Sequence, residues 1–331
     1  MTMQKNTLAR DLIAAAVALA LLLSVPMLTG SKATTNFIIY VSANGLLAMS
    51  LNLLVGYTGL VSFGHAMFFG AAGAYPFVLL MQNLPLSLPS GILITLAFAA
   101  VLALLIGAIC VRLTEIYFSF LTLAFQMLIY SLMMNMVEYT GGDNGLSGIP
   151  RPPFMGINLA DSGTFYIFAC TVFVVAIMIM RVIVMSPFGY TLRLIRDNAQ
   201  RATFLGVNVV RMKLICFVLA GVFGSLGGIV MALFSAGAYP SFSFWTNSGD
   251  AIFMIMLGGL NVFLGPVLGA IILQFLNDVV THYTKHYGLF LGLLILIIVL
   301  GFRKGLLDFV FDWRQSREQS ALSAERKKAQ G

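Results

Sequence analysis

The sequence predicts an all-α fold of the polytopic membrane kind, and three observations carry that prediction. Of the 331 residues, 60% are hydrophobic and only 9% are charged, against roughly 45–50% and about 25% in water-soluble domains. The apolar residues come in long runs close to the ~20 residues that a helix needs to cross a bilayer. The basic residues collect in one set of alternate loops. No soluble core could hide so much apolar surface, and the length leaves room for about 8 to 10 spans joined by short loops.

Taken in chain order, apolar runs able to span occupy residues 12–28, 36–55, 61–80, 90–111, 117–137, 164–184 and 212–234. Three more follow: 250–263 and 288–302 are short for a crossing, and 265–282 is adequate. Gly258, Gly259, Gly265 and Pro266 fall where two of these runs meet, which predicts a broken or re-entrant pair. Lys5 and Arg10 precede the first run as in a signal peptide, yet no A-x-A cleavage site follows, so an uncleaved anchor is expected. Residues 1–302 therefore read as one transmembrane domain, and the charged, polar residues 303–331 as a cytoplasmic tail.

Charge sets the orientation. With the N-terminus in the cytoplasm and ten crossings, all 19 Lys and Arg lie inside except Lys32, Arg151 and Lys285. Positive loops stay in the cytoplasm, so both termini are expected there. The formal net charge of +7 is accounted for by this bias and calls for no nucleic acid partner. Cys110, Cys170 and Cys216 sit in apolar runs without CxxC spacing, as packing residues do rather than disulfides or metal ligands.

Four features are candidates for function. Residues 186–211 form the longest hydrophilic stretch inside the domain, on the cytoplasmic side. Leu192, Ile195, Ala199 and Ala202 recur there at helical spacing, Arg193, Arg196, Asp197, Gln200 and Arg201 fall opposite, and Gly206 suits a helix stop. Such a helix can lie on the membrane surface or dock into a groove of a cytoplasmic partner. Residues 138–163 form an external loop whose Gly and Pro content, including Gly141, Gly142, Asp143 and Gly145, marks a shaped segment. Glycines inside spans, with GxxxG pairs at Gly224/Gly228 and Gly265/Gly269, let helix backbones approach closely. His65 and Asn52 are polar residues inside apolar runs, which either flank a pathway or hydrogen-bond between helices.

Missing motifs narrow the function classes. The sequence has no GxxxxGK[ST] phosphate loop, no HExxH or GxSxG, and no paired Cys and His ligands, so ATP hydrolysis, metal binding and enzyme catalysis are not expected of this chain. Glu115, Glu138, Asp143, Asp161, Asp250 and Asp278 fall at the ends of runs or in loops, which leaves no evident mid-membrane carboxylate for ion coupling.

Over residues 39–307 the chain resembles the permeases of branched-chain amino-acid ABC importers, the LivM-like members in particular. The match is carried by LNLLVGYTGLVSFGHAMFFGAAGAY at 51–75, GGDNGLSGIP at 141–150, SPFGYTLRLIRDN at 186–198 with LGVN at 205–208, MLGGLNVFLGPVLGA at 256–270, and the GFRKGL run. The resemblance implies a transmembrane subunit that binds no cofactor itself. ATP would be used by partners: two ATP-binding cassette subunits, a LivH-like second permease, and a periplasmic solute-binding protein, all at the bacterial inner membrane. Phe188, Gly189, Leu192, Arg193, Ile195, Arg196, Asp197, Ala202, Leu205 and Gly206 match the family's ATPase-contacting loop, which favours the docking reading of that helix. Tyr190 and Arg201 depart from its commonest pattern, where small residues stand. The solute implied is a branched-chain amino acid, with urea, short amides and aromatic acids as variants. A self-sufficient secondary transporter or channel, or a membrane enzyme built around His65, are the competing readings.

Overall fold

The structure is a computed structural model describing residues 2–149, 151, 153–154, 156, 158–283, 288–290, 292–293 and 296. The expected tail, 303–331, and most of the run at 288–302 lie outside the described residues. The chain divides into two compact units, Met1–Ala251 and Ile252–Gly331.

The first unit is mainly helical, with one two-residue strand pair among the described residues. Its helices are α1 (Thr2–Thr29), α2 (Lys32–Thr58), α3 (Tyr75–Asn83), α4 (Leu88–Cys110), α5 (Glu115–Asn135), α6 (Val137–Thr140), α7 (Ser162–Met185), α8 (Pro187–Asp197), α9 (Ala199–Phe204), α10 (Val209–Ser235) and the first turns of α11 (Trp245–Gly258). Among the described residues, α2, α4, α5, α7 and α10 are each long and apolar enough to cross a membrane.

Helices α2 and α10 form the centre. A helix that is apolar all round has no solvent side and must be buried, and α2 is enclosed almost continuously from Ile39 onward. The pair is antiparallel: the Cys216 thiol donates to Leu53 O, while Gly224 faces Ser50 and Gly227 faces Ala43. Helix α4 contacts α10 and buries Gly91, Thr95, Ala99, Ala103 and Gly107, a row of small residues at every fourth position. Small residues draw helices together where hydrophobic sorting against lipid gives nothing. Leu93, Phe98, Val101, Leu104 and Leu105 stay exposed on the opposite face, as lipid contact requires. Helices α1 and α7 lie side by side, tied by Arg181 to Asp11 at 3.2 Å and by the Tyr166 hydroxyl to Leu22 O.

Two departures from the runs shape the interior. The run at 61–80 does not begin as a helix. Helix α2 stops at Thr58 with Gly59 left-handed (φ 76°), residues 59–65 are non-helical, and helical structure resumes at Ala66 with a π-type segment at Phe68–Ala74 running into α3. After α10 the chain breaks again, with Ala236 left-handed (φ 52°), a strand at Gly237–Ala238 and a 3₁₀ turn at Pro240–Ser243 before α11. A long helix, a left-handed stop and a break in the α-helical backbone thus occur twice, and the two long helices run in opposite directions. In the second unit the glycines singled out for a re-entrant pair make a tight hairpin between α11 and α12 (Gly265–Tyr283). A β-carbon on Gly258 would overlap Gly265 O, and one on Gly269 would overlap Met254 O.

Candidate functional site

Non-helical backbone at membrane depth needs partners from the protein, because lipid offers none. The two breaks find them in one polar junction. Gln126 lies near the middle of α5, roughly 17 Å from its first residue at 1.5 Å per residue. Its amide Nε2 donates to Ser243 O at 2.8 Å, at the end of the second break. Its Oε1 accepts from Ser248 Oγ at 3.0 Å, and Ser248 Oγ in turn accepts the Ala66 N–H at 2.8 Å, where the first break ends. One glutamine and one serine therefore join both breaks, and all of these side chains are buried. Ser119 Oγ donates to Val61 O and Ser225 Oγ to Phe68 O, holding the first break and the π segment against α5 and α10. The packing is close enough that a β-carbon on Gly64 would overlap Thr122 O, and one on Gly228 would overlap Phe69 O.

His65 and Asn52 belong to this interior and are sealed from solvent. Ser50 Oγ lies 2.8 Å from Leu47 O and 2.9 Å from His65 Nε2, so it links the imidazole to the backbone of α2. The ring's other nitrogen, together with Asn52 Oδ1, Ser62 Oγ and Ser243 Oγ, is buried without a hydrogen-bond partner. Asp250 requires a correction. The sequence puts it at the end of a run, whereas it lies inside α11, two residues beyond Ser248, whose hydroxyl meets Gln126.

The loop at 138–163, expected to be external, is folded onto the chain. Its strand β1 (Leu146–Ser147) pairs antiparallel with β2 (Gly237–Ala238), and the N–H groups of Gly148 and Ile149 donate to Ala236 O. Gly141, Gly142, Gly145 and Gly148 all take positive φ, and a β-carbon on Gly145 would come within 2.5 Å of Ala238 O. That explains the spacing of the GGDNGLSG stretch, with Asp143 exposed in the 3₁₀ turn Gly142–Asn144. Arg151, half-buried over the Phe165 ring at 4.3 Å, donates to Leu233 O and Phe234 O and so closes the C-terminal end of α10.

At the other end lies the hydrophilic stretch 186–211. The single amphipathic helix expected there is two helices, because Asn198 is extended (φ −162°) and caps α9 through the Arg201 N–H at 2.8 Å. Gly206 ends it at φ 84°. Leu192, Ile195 and Ala202 are buried, as is Gly189, whose missing side chain lets α8 fold back on Val184. Arg193 donates to Val184 O and Arg196 to Gly56 O, with Asp197 3.6 Å from Arg196. Phe188 is partly covered, whereas Leu205 and Gly206 are exposed. Thus most of the predicted residues hold the element to its own chain. Its outer face carries Tyr190, Gln200, Arg201, Thr203, Phe204 and Leu205, with Phe204 90% exposed. Periodicity marked the buried stripe and passed over Phe204; an aromatic residue at the end of a polar helix, off the apolar stripe, was the available signal.

Comparison with known proteins gives the family. The profile of a family described as "Branched-chain amino acid transport system / permease component" matches residues 33–300. The chain is 26% identical over 285 residues to the high-affinity branched-chain amino acid transport system permease protein LivM of Escherichia coli, covering 79% of this chain and 67% of that one. A probable branched-chain amino acid transport permease protein LivM of Methanocaldococcus jannaschii is 24% identical, over 73% of this chain and 80% of its own. The ribose import permease protein RbsC of Bacillus subtilis is 26% identical over 51% of this chain and 53% of its own. No solved structure matches significantly.

Proposed function

The chain belongs to the branched-chain amino acid transport permease family, and from that premise we propose that it is the membrane-spanning subunit of an ABC importer carrying branched-chain amino acids into the cytoplasm. It is a multi-pass membrane transport component. In this reading it sits in the bacterial inner membrane with both ends in the cytoplasm. It pairs with a second, LivH-like permease, receives solute from a periplasmic binding protein and takes its energy from two ATP-hydrolysing subunits. Residues 1–302 are the permease domain and 303–331 the cytoplasmic tail.

The observation that carries the coupling is the two-sided α8–α9 element. Its apolar stripe is held by the chain itself, while Phe204 and Leu205 project beside Arg201. An exposed aromatic on a short amphipathic helix is the anchor expected of helix-in-groove docking. ATP-driven movement of the partner would push on α8, and Arg196 at Gly56 O passes that displacement to the end of α2. Helix α2 is continuous with the first break, so the polar junction is the element that two-state switching would rearrange. Asn52 and His65 stand in this reading beside the pathway, and the 141–145 loop at its outer end.

Co-purification of the tagged chain from its native membrane, with ATP hydrolysis measured in lipid, tests the reading. A second permease and two ATPase subunits should accompany it. A solitary chain that moves leucine without ATP would overturn the importer and favour the secondary carrier, to which the mid-depth Asp250 lends its one supporting observation.

A further inference from the structure

Asp250 lies in the first turns of α11 and takes no part in the bonding of the polar junction. Its neighbour Ser248, fully buried, touches Gln126 near the middle of α5. Two residues of helix rise about 3 Å, so Asp250 lies close to the level of Gln126, near the midpoint of a helix long and apolar enough to cross a membrane. Among the described residues no ion pair or hydrogen bond engages it. Carboxylates at such depth are costly and face a protein interior or a water-filled path, not lipid.

Asp250 itself is half-buried, in a part of α11 rich in polar residues. Ser248 and Ala251 seal one side of the helix. On the other, a β-carbon on Gly249 would meet nothing within 4 Å, Thr246 and Ser241 are exposed, and the Asn247 amide donates to Ser241 O at 2.7 Å. Serine, threonine, asparagine, glycine and aspartate thus form the exposed and half-buried surface of the first turns of α11, between the exposed Trp245 and Phe253, and such a polar stretch is not made for hydrocarbon.

We propose that this face of α11 lines the translocation pathway and that the Asp250 carboxylate receives the ammonium group of the amino acid in transit. The assignment rests on the amino-acid importer reading above. An unpaired carboxylate favours a cation with several donors, and a primary ammonium offers three. The contact compensates two charges that would otherwise each be stripped of water at mid-depth.

The test uses the whole complex, reconstituted with its ATPase subunits and binding protein in liposomes. Asp250→Cys should react with a membrane-impermeant cationic thiol reagent in at least one nucleotide state, and excess leucine should slow that reaction severalfold. Asp250→Asn should reduce leucine transport at least tenfold and raise the ATP hydrolysed per leucine delivered, with Asp250→Glu retaining more transport than Asp250→Asn. A cysteine inert in every state, or one that instead cross-links to the second permease, would overturn the proposal. So would Asp250→Asn transport within twofold of the parent. Wild-type transport that needs no ATP would overturn the importer reading instead, while thiol reaction and leucine protection would still decide whether Asp250 faces the pathway.

Discussion

Replacing Gln126 with leucine, close to it in volume, tests whether one side chain holds both helix breaks in place. The substitution removes the donor to Ser243 O at 2.8 Å and the acceptor of Ser248 Oγ at 3.0 Å, leaving two buried polar groups behind. Each orphaned group costs about 1–3 kcal/mol, so roughly 2–6 kcal/mol of stability should be lost. Hydrogen bonds between membrane helices measure lower on average, about 0.6 kcal/mol and at most ~1.7, because the unfolded chain in lipid also finds partners. The Gln126–Ser248 pair should therefore show a coupling energy of about 0.6–1.7 kcal/mol in a double-mutant cycle with Ser248→Ala. Unfolding in mixed lipid–detergent micelles, followed for the parent, both single variants and the double variant, supplies the numbers. The Ser248→Ala variant also orphans the Ala66 N–H, so it should be destabilised by itself. Strict additivity of the two variants, or a Gln126→Leu variant as stable as the parent, would refute the idea that this junction supports the breaks.

Other consequences follow from single residues. Gly64→Ala places a methyl on the Thr122 carbonyl and should sharply reduce the yield of monodisperse protein in size-exclusion chromatography. Gly148→Ala, in open space at φ 86°, should fold normally at a cost of about 1–2 kcal/mol. Asp161 caps α7 by accepting from the Thr164 N–H and hydroxyl, which hold its carboxyl below the usual carboxylate range. Its contribution is thus present above the ordinary aspartate range and lost as pH falls through the lowered value, so thermal midpoints of the parent and Asp161→Ala should converge only toward acid pH. Phe204→Ser should leave the thermal midpoint of the isolated chain unchanged and reduce capture of the ATPase subunits at least tenfold. Arg196→Glu is a poorer probe of docking, because Arg196 also holds the end of α2.

The sequence by itself determined that this chain is a helical membrane protein. A composition that water cannot solvate leaves only hydrogen-bonded helices at these run lengths, and the order and spacing of GYTGLVSFGHAMFFG, GGDNGLSG and SPFGYTLRLIRDN pointed to the family. The buried stripe Leu192, Ile195 and Ala202 was legible too, because helical periodicity is a local property. Hydropathy could not separate residues 59–65 from the helix that follows, since an apolar residue reads alike in a helix and in an extended break. Only the tertiary structure decided that Gln126 and Ser248 join that break to a second one more than 100 residues away, and that Asp250 lies inside α11 two residues beyond that serine. Depth in the membrane depends on where the backbone turns back, and that is settled by close approaches such as Gly64 to Thr122 and Gly228 to Phe69, between residues far apart in the chain.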